Sequence, residues 1–325
     1  MADRLPVTVV TGFLGSGKTT LIGRLLGHPD MGETAVIVNE LGEVAIDHHL
    51  LRRVDERTVL LANGCVCCSL RGDLADELRD LLSRRTRGEI PAFRRVVVET
   101  TGLADPAPIA STLVSEPVVR HHYELETIIA TVDALNGAGQ LERDPESVRQ
   151  VAAADRLVVT KADLAGEGEA GLLESRLRAL NPAAEVLAAS FGEVEPDQLF
   201  GGDGGRVFAS RLAYEETTHG ADIRSFCLVL DEELEWTAFG IWLTMLLQSR
   251  GDAVLRVKGL LNVGGPGPIV LNGVQHVVHP PVHLDAWPDD DRRSRIVFIV
   301  RGLDGKQIEA SLAAFNRAAR AGVRS

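Results

Sequence analysis

VTVVTGFLGSGKTTLIGRLL, residues 7–26, reads as a strand, a glycine loop and a helix in that order. Val7, Val9 and Val10 are β-branched, glycines interrupt the run, and Leu21, Ile22, Leu25 and Leu26 then recur at helical spacing. The loop fits G-x-x-x-x-G-K-[ST] in the strand-to-helix setting that the pattern requires. Gly12, Gly15, Ser16, Gly17, Lys18, Thr19 and Thr20 are therefore expected to cradle phosphates. Glycines let backbone N–H groups approach the anion, and the helix N-terminus adds a favourable dipole. Lys18 is expected to reach the β- and γ-phosphates, with the Thr19 hydroxyl on Mg²⁺. The chain has only four lysines, Lys18, Lys161, Lys258 and Lys306, and otherwise uses Arg, so a lysine here is selected by its chemistry.

Outward from that loop, short apolar runs alternate with helical patterns as far as about residue 200. The runs are AVIVN (35–39), VVVET (96–100), TIIATVDA (127–134), RLVVTK (156–161) and AEVLAAS (184–190). Continuous apolar strands separated by helix-length segments predict a doubly wound, mostly parallel α/β domain over 1–200. GGDGGR, 201–206, reads as a linker. A smaller α+β domain is expected over 207–325, with strands at 223–230, 254–263, 269–278 and 295–301 and helices at about 236–249 and 306–320.

Two further stretches belong with the phosphate loop. TKAD, 160–163, ends a predicted strand, where a doubly wound sheet places its ligand crevice. The Asp163 carboxylate offers two acceptors to the two adjacent donors of guanine, and the stem of Lys161 would lie along the base. Thr160 stands where the N-K-x-D signature of GTPases has Asn, which puts strict guanine selectivity in question. Ser190 is expected to add a base contact through its backbone. VVVETTGLADP, 96–106, ends a strand on Glu99, a second Mg²⁺ group beside Thr19, and Gly102 would let backbone sense the γ-phosphate.

Composition excludes several classes. The 325 residues carry 34 Lys plus Arg against 46 Asp plus Glu, a formal net charge of -12 without a basic block, which disfavours nucleic acid. No signal-peptide core or run of about 20 apolar residues is present, so no membrane partner and a cytoplasmic location are expected. In that reducing compartment the cluster Cys65, Cys67 and Cys68, in NGCVCCSL (63–70), points to metal binding or catalysis rather than disulfides. Cys227, in an apolar strand, reads as core.

GFLGSGKTT, VNELGEVAID (38–47), NGCVCCSL, ETTGLADP and TKAD, in that order, resemble the CobW-type GTPases, nucleotide-dependent metallochaperones related to the hydrogenase and urease nickel-insertion GTPases. The likeness spans essentially the whole chain, HGADIRSF (219–226) and RSRIVFIVRGLD (293–304) resembling the family's C-terminal domain. It implies that Cys65, Cys67 and Cys68 form the family's C-x-C-C motif. Glu40 would match the acidic residue of its N-E-F-G stretch, here with Leu41, and Glu99 its Walker B glutamate. The histidine-rich tracts of many members are missing.

Three clustered thiols without a second pair suit an open site for a departing metal, because structural zinc usually takes four protein ligands. Zn²⁺ or Co²⁺ is expected, and Glu40, Glu43, a His, water or a nucleotide oxygen could complete the site. GTP and Mg²⁺ would order VNELGEVAID, bring Glu40 toward the thiols, and release the ion on hydrolysis, with Asp47 a candidate for positioning the water. A client metalloprotein or metal-insertion enzyme is the expected partner, with a homodimer left open. A nucleotide-gated metal-sensing adaptor and a small-molecule phosphotransferase share parts of this pattern. His121 and His122 read as surface or capping residues; His276, His279 and His283 read as unable to share one ligand face. Lys258 reads as a brace between domains, as a partner contact or as an ordinary exposed strand residue.

Overall fold

The computed structural model describes residues 4–40, 59–64, 70–166, 168–189, 193–200, 217–219 and 223–322. Contacts divide the chain into two units, Met1–Leu177 with Ala184–Gly202, and Arg178–Ala183 with Asp203–Ser325. The expected linker, 201–206, lies outside the described residues.

The first unit is a seven-stranded sheet built from β1 (Leu5–Gly12), β2 (Thr34–Glu40), β3 (Val59–Gly64), β4 (Arg95–Glu99), β5 (Tyr123–Asp133), β6 (Arg156–Thr160) and β7 (Glu185–Ala189). Their spatial order is β3-β2-β4-β1-β5-β6-β7, and every neighbouring pair is parallel. Parallel strands carry helices on both faces, so they lack polar alternation; β1 is buried at every position except Pro6. The helix Lys18–Leu26 turns Leu21, Ile22, Leu25 and Leu26 onto Val10, Val36, Val97, Ile129 and Val158. Each such side chain contributes about 1.5–3 kcal/mol on burial, which anchors the helix and fixes its N-terminus above β1.

The second unit is antiparallel. β8 (Thr217–His219), β9 (Ile223–Leu230), β10 (Val254–Leu261), β11 (Ile269–Val274), β12 (Val277–Val278), β13 (Val282–His283) and β14 (Ser294–Arg301) run in the order β12-β11-β10-β14-β9-β8, with β13 also on β11. The helices Trp236–Arg250 and Gly305–Gly322 supply Phe239, Trp242, Leu243, Ile308 and Leu312 to a core shared with Phe226 and Phe298. Glu235 caps the first of them by accepting from Thr237 and Ala238 N–H.

Three expectations change here. Residues 269–278 form a hairpin rather than one strand: Val274 pairs with Val277, and Gln275 turns the chain at φ 50°. His276 therefore sits on a turn, between the Leu247 carbonyl at 2.9 Å and Asp252 at 3.0 Å, while His279 lies 3.3 Å from the Asn272 amide. Among the described residues no group of three or more His, Cys, Asp or Glu is placed to hold a metal. Lys258 is 7% exposed within β10, which removes its reading as an exposed strand residue. His121 and His122 are exposed in the last turn of the helix Pro117–His122. Cys227 is half-buried, and burial pushes its thiol up to about 11. No described helix is long and apolar enough to cross a membrane.

Candidate nucleotide site

The loops after β1, β4, β5 and β6 all leave from carboxyl ends, the edge at which open parallel sheets bind ligands. A mesh of short polar contacts joins them. Thr19 Oγ1 donates to Glu99 Oε1 at 2.7 Å, linking the first helix to β4. Ser16 and Thr131 hydroxyls meet at 2.6 Å, linking the loop to β5. Thr160 Oγ1 donates to the Ser16 carbonyl at 2.7 Å, and Lys161 Nζ to the Gly15 carbonyl at 2.9 Å, linking it to β6.

Gly12 shows why the loop begins as it does. Its φ is 142°, and a Cβ there would lie 2.3 Å from Thr131 Oγ1, 2.5 Å from the Thr131 carbonyl and 2.7 Å from Ser16 Oγ. Only glycine fits. Lys18, 9% exposed, donates to the Gly12 and Phe13 carbonyls at 3.0 and 3.2 Å, and so lies folded along the loop it serves. Thr20 is exposed one residue after Thr19.

Glu99 is 2% exposed at the end of β4. The Thr19 hydroxyl and this carboxylate are an all-oxygen donor pair, the kind that Mg²⁺ takes. Beyond Glu99 the chain turns back onto the phosphate loop. A Cβ on Gly102 would come within 2.6–2.8 Å of the Leu14 side chain, N and Cα, so the two backbones are in direct contact.

On the base side, Asp163 is exposed in the turn after β6. Lys161 holds the left-handed conformation, φ 57°, that non-glycine residues seldom adopt. Its ammonium is pinned between Gly15 and the Asp133 carboxylate, the latter at 2.8 Å. Burial alone would push Asp133 up; Lys161, the Asn136 amide and the Leu135 N–H together hold it below its ordinary value.

Cys65, Cys67, Cys68, Asp47 and Ser190 lie outside the described residues. The strands leading to the first four are nonetheless adjacent. Glu40 ends β2 in register with Gly64, the residue before Cys65, and Val38 pairs with Glu99 on the other side.

Two residues here went unread in the sequence. Asp133 carries the same signal as Glu99, an acid closing an apolar strand. Gln150, in the helix Pro145–Ala153, is 1% exposed and gives both its amide hydrogens to the turn after Glu99. Its signal was an amide among Val148, Val151 and Ala152.

Residues 6–188 match the family model "CobW/HypB/UreG, nucleotide-binding domain", and residues 223–316 the model "Cobalamin synthesis protein cobW C-terminal domain". The zinc chaperone YjiA of Escherichia coli is 35% identical over 319 residues, 96% of this chain and 99% of its own. The zinc chaperone CobW of Pseudomonas aeruginosa is 30% identical, over 95% of this chain and 91% of that protein. The crystal structure of Zn(II)-bound YjiA GTPase from E. coli aligns with a TM-score of 0.72 at 30% identity, covering 96% of this chain and 99% of that one.

Proposed function

The chain belongs to the CobW/HypB/UreG family of nucleotide-binding proteins, and on that premise we propose that it is a GTPase that carries zinc and yields it to a client protein in step with hydrolysis. The observation that carries the coupling is the register of three neighbouring strands. Glu99, Glu40 and the residue before Cys65 all stand at the carboxyl edge of β4, β2 and β3. A change at the γ-phosphate therefore has a short route to the thiol segment.

In this reading the amides of Gly12–Thr19 cradle the phosphates, and Lys18 exchanges its bonds to Gly12 and Phe13 for the β- and γ-phosphate oxygens. Thr19 and Glu99 hold Mg²⁺, which when bound neutralises charge developing between those phosphates. Asp163 accepts from guanine, Lys161 covers the base, and Ser190 adds a backbone contact. The turn at Gly102 senses the terminal phosphate, and Asp47 orients the attacking water. Zinc is held by Cys65, Cys67 and Cys68 as thiolates with Glu40, which comes into place when GTP orders the segment after β2. The zinc-chaperone names of the two relatives favour zinc over cobalt as the cargo.

The test is competitive zinc titration with a GTP analogue and Mg²⁺, with GDP, and with no nucleotide. The GTP-analogue form is expected to bind most tightly, and Cys67→Ser and Cys68→Ser to abolish the difference. Equal affinity in all three states would end the coupling, since a ligand without differential affinity shifts nothing. Unchanged affinity in the serine variants would remove the thiols from the site.

A further inference from the structure

Gln150 lies in the helix Pro145–Ala153, outside every motif that names the site. Its side chain is 1% exposed. Nε2 donates to the Gly102 carbonyl at 3.1 Å and to the Ala104 carbonyl at 3.0 Å. Among the described residues the buried amide Oε1 has no hydrogen-bond partner. A methionine of similar length would fill the space without a stranded oxygen, but it would leave the Gly102 and Ala104 carbonyls without this donor, and a buried carbonyl left unpaired costs about 1–3 kcal/mol. What methionine lacks is a donor with two hydrogens, and both go to one turn, two residues apart.

That turn is held by two elements. Gly102 is pressed on the Leu14 backbone of the phosphate loop, with no room for a Cβ. Gln150 fixes its carbonyls, and because peptides are planar and trans, a Gly102 carbonyl aimed at Gln150 turns the Leu103 N–H away from it. Thr100 secures the near end by donating its N–H to Val10. The helix carrying Gln150 runs on through Ala154 and Asp155 into β6, which ends on Thr160 and is followed by Lys161.

We infer that Gln150 is a positioning residue that latches the Gly102 turn in the conformation that recognises the terminal phosphate, and so sets the preference for GTP over GDP. The inference rests on the reading of Gly102 as the γ-phosphate sensor. A latch on this turn acts on the nucleotide that reaches it. GDP does not, and its affinity stays independent of Gln150.

The experiment is titration of the full chain with GDP and with a non-hydrolysable GTP analogue, for wild type, Gln150→Met and Gln150→Glu, with thermal unfolding of each. Gln150→Met is expected to weaken the analogue about tenfold, the scale of one or two lost hydrogen bonds, with GDP unchanged. Gln150→Glu, which sets a carboxylate against two carbonyls, loses at least as much. A folded Gln150→Met with the wild-type ratio, or with equal losses for both nucleotides, overturns the latch. A wild type that does not distinguish the analogue from GDP overturns instead the γ-phosphate reading beneath it, a separate result. Should the variants not fold, hydrogen exchange on the wild type decides: residues 100–105 and 145–153 gain protection together on exchanging GDP for the analogue. Protection of the turn alone overturns the inference.

Discussion

Thr160→Val isolates one contact in the site. Valine keeps the shape of threonine and suits a strand, so what is lost is the hydroxyl. Thr160 is 4% exposed, and that hydroxyl donates to the Ser16 carbonyl at 2.7 Å with the Val132 carbonyl at 3.3 Å. Removing it strands a buried acceptor, a loss of about 2 kcal/mol within the usual range, which lowers the melting temperature of a unit this size by about 4–8 °C. On the proposed reading Ser16 belongs to the loop around the phosphates common to both nucleotides, so GTP and GDP should weaken alike, by about three- to tenfold. Preference for guanine over adenine should not change, since Thr160 points at the loop and Asp163 stands apart in the following turn. Thr160→Ser retains the hydroxyl and serves as control. Calorimetry and fluorescent-nucleotide titration read all of this. Wild-type melting and affinity in Thr160→Val would refute the argument, and so would unequal losses for GTP and GDP.

Asp163→Asn removes two charge-assisted acceptors and should weaken GTP by about 10–100-fold, while a xanthine nucleotide, which offers a carbonyl where guanine has its amino group, should gain in competition assays. Asp133 is held below its ordinary value, so the stability it contributes is full above the unfolded-state carboxylate range and fades as pH falls through the folded value. Denaturation of wild type and Asp133→Asn should accordingly converge in acid and differ at neutral pH; a constant gap would remove the linkage. Gly102→Ala puts a methyl 2.7 Å from Leu14 N and 2.8 Å from its Cα, so the turn must move. Single-turnover hydrolysis should fall by up to about a hundredfold, the scale of a displacement of about 1 Å, with GDP affinity retained; loss of both would mark a collapsed loop instead.

The parts of this protein legible in its sequence are those whose structure is enforced locally. A strand, a glycine loop and a helix occupy 20 consecutive residues, and the apolar runs on either side disclose the parallel sheet. The hairpin at 274–277 was not legible, because Gln275 occupies a left-handed position that sequence usually marks with Gly or Asn. β3, directly before the cysteine motif, is identified only by its pairing with β2. Thr160 looked like a weakening of the base site, yet its hydroxyl is spent on the phosphate loop. No property of TKAD alone reveals that, since Ser16 is 144 residues away in the chain.

Glu99, Asp133 and Gln150 share a feature that sequence does contain: each is a polar side chain kept within or at the end of an apolar run and buried to 2% exposure or less. Desolvating such groups is costly unless partners repay it. For Glu99 and Asp133 the partners are Thr19 and Lys161, residues of the nucleotide motifs themselves. For Gln150 they are two carbonyls of the turn that faces the phosphate loop, while its amide oxygen has no partner among the described residues. An apolar side chain would spare the stranded oxygen but leave both carbonyls without their donor, so what Gln150 contributes is local to the turn it holds, and on the proposed latch the nucleotide site extends one layer behind the residues that would touch the ligand.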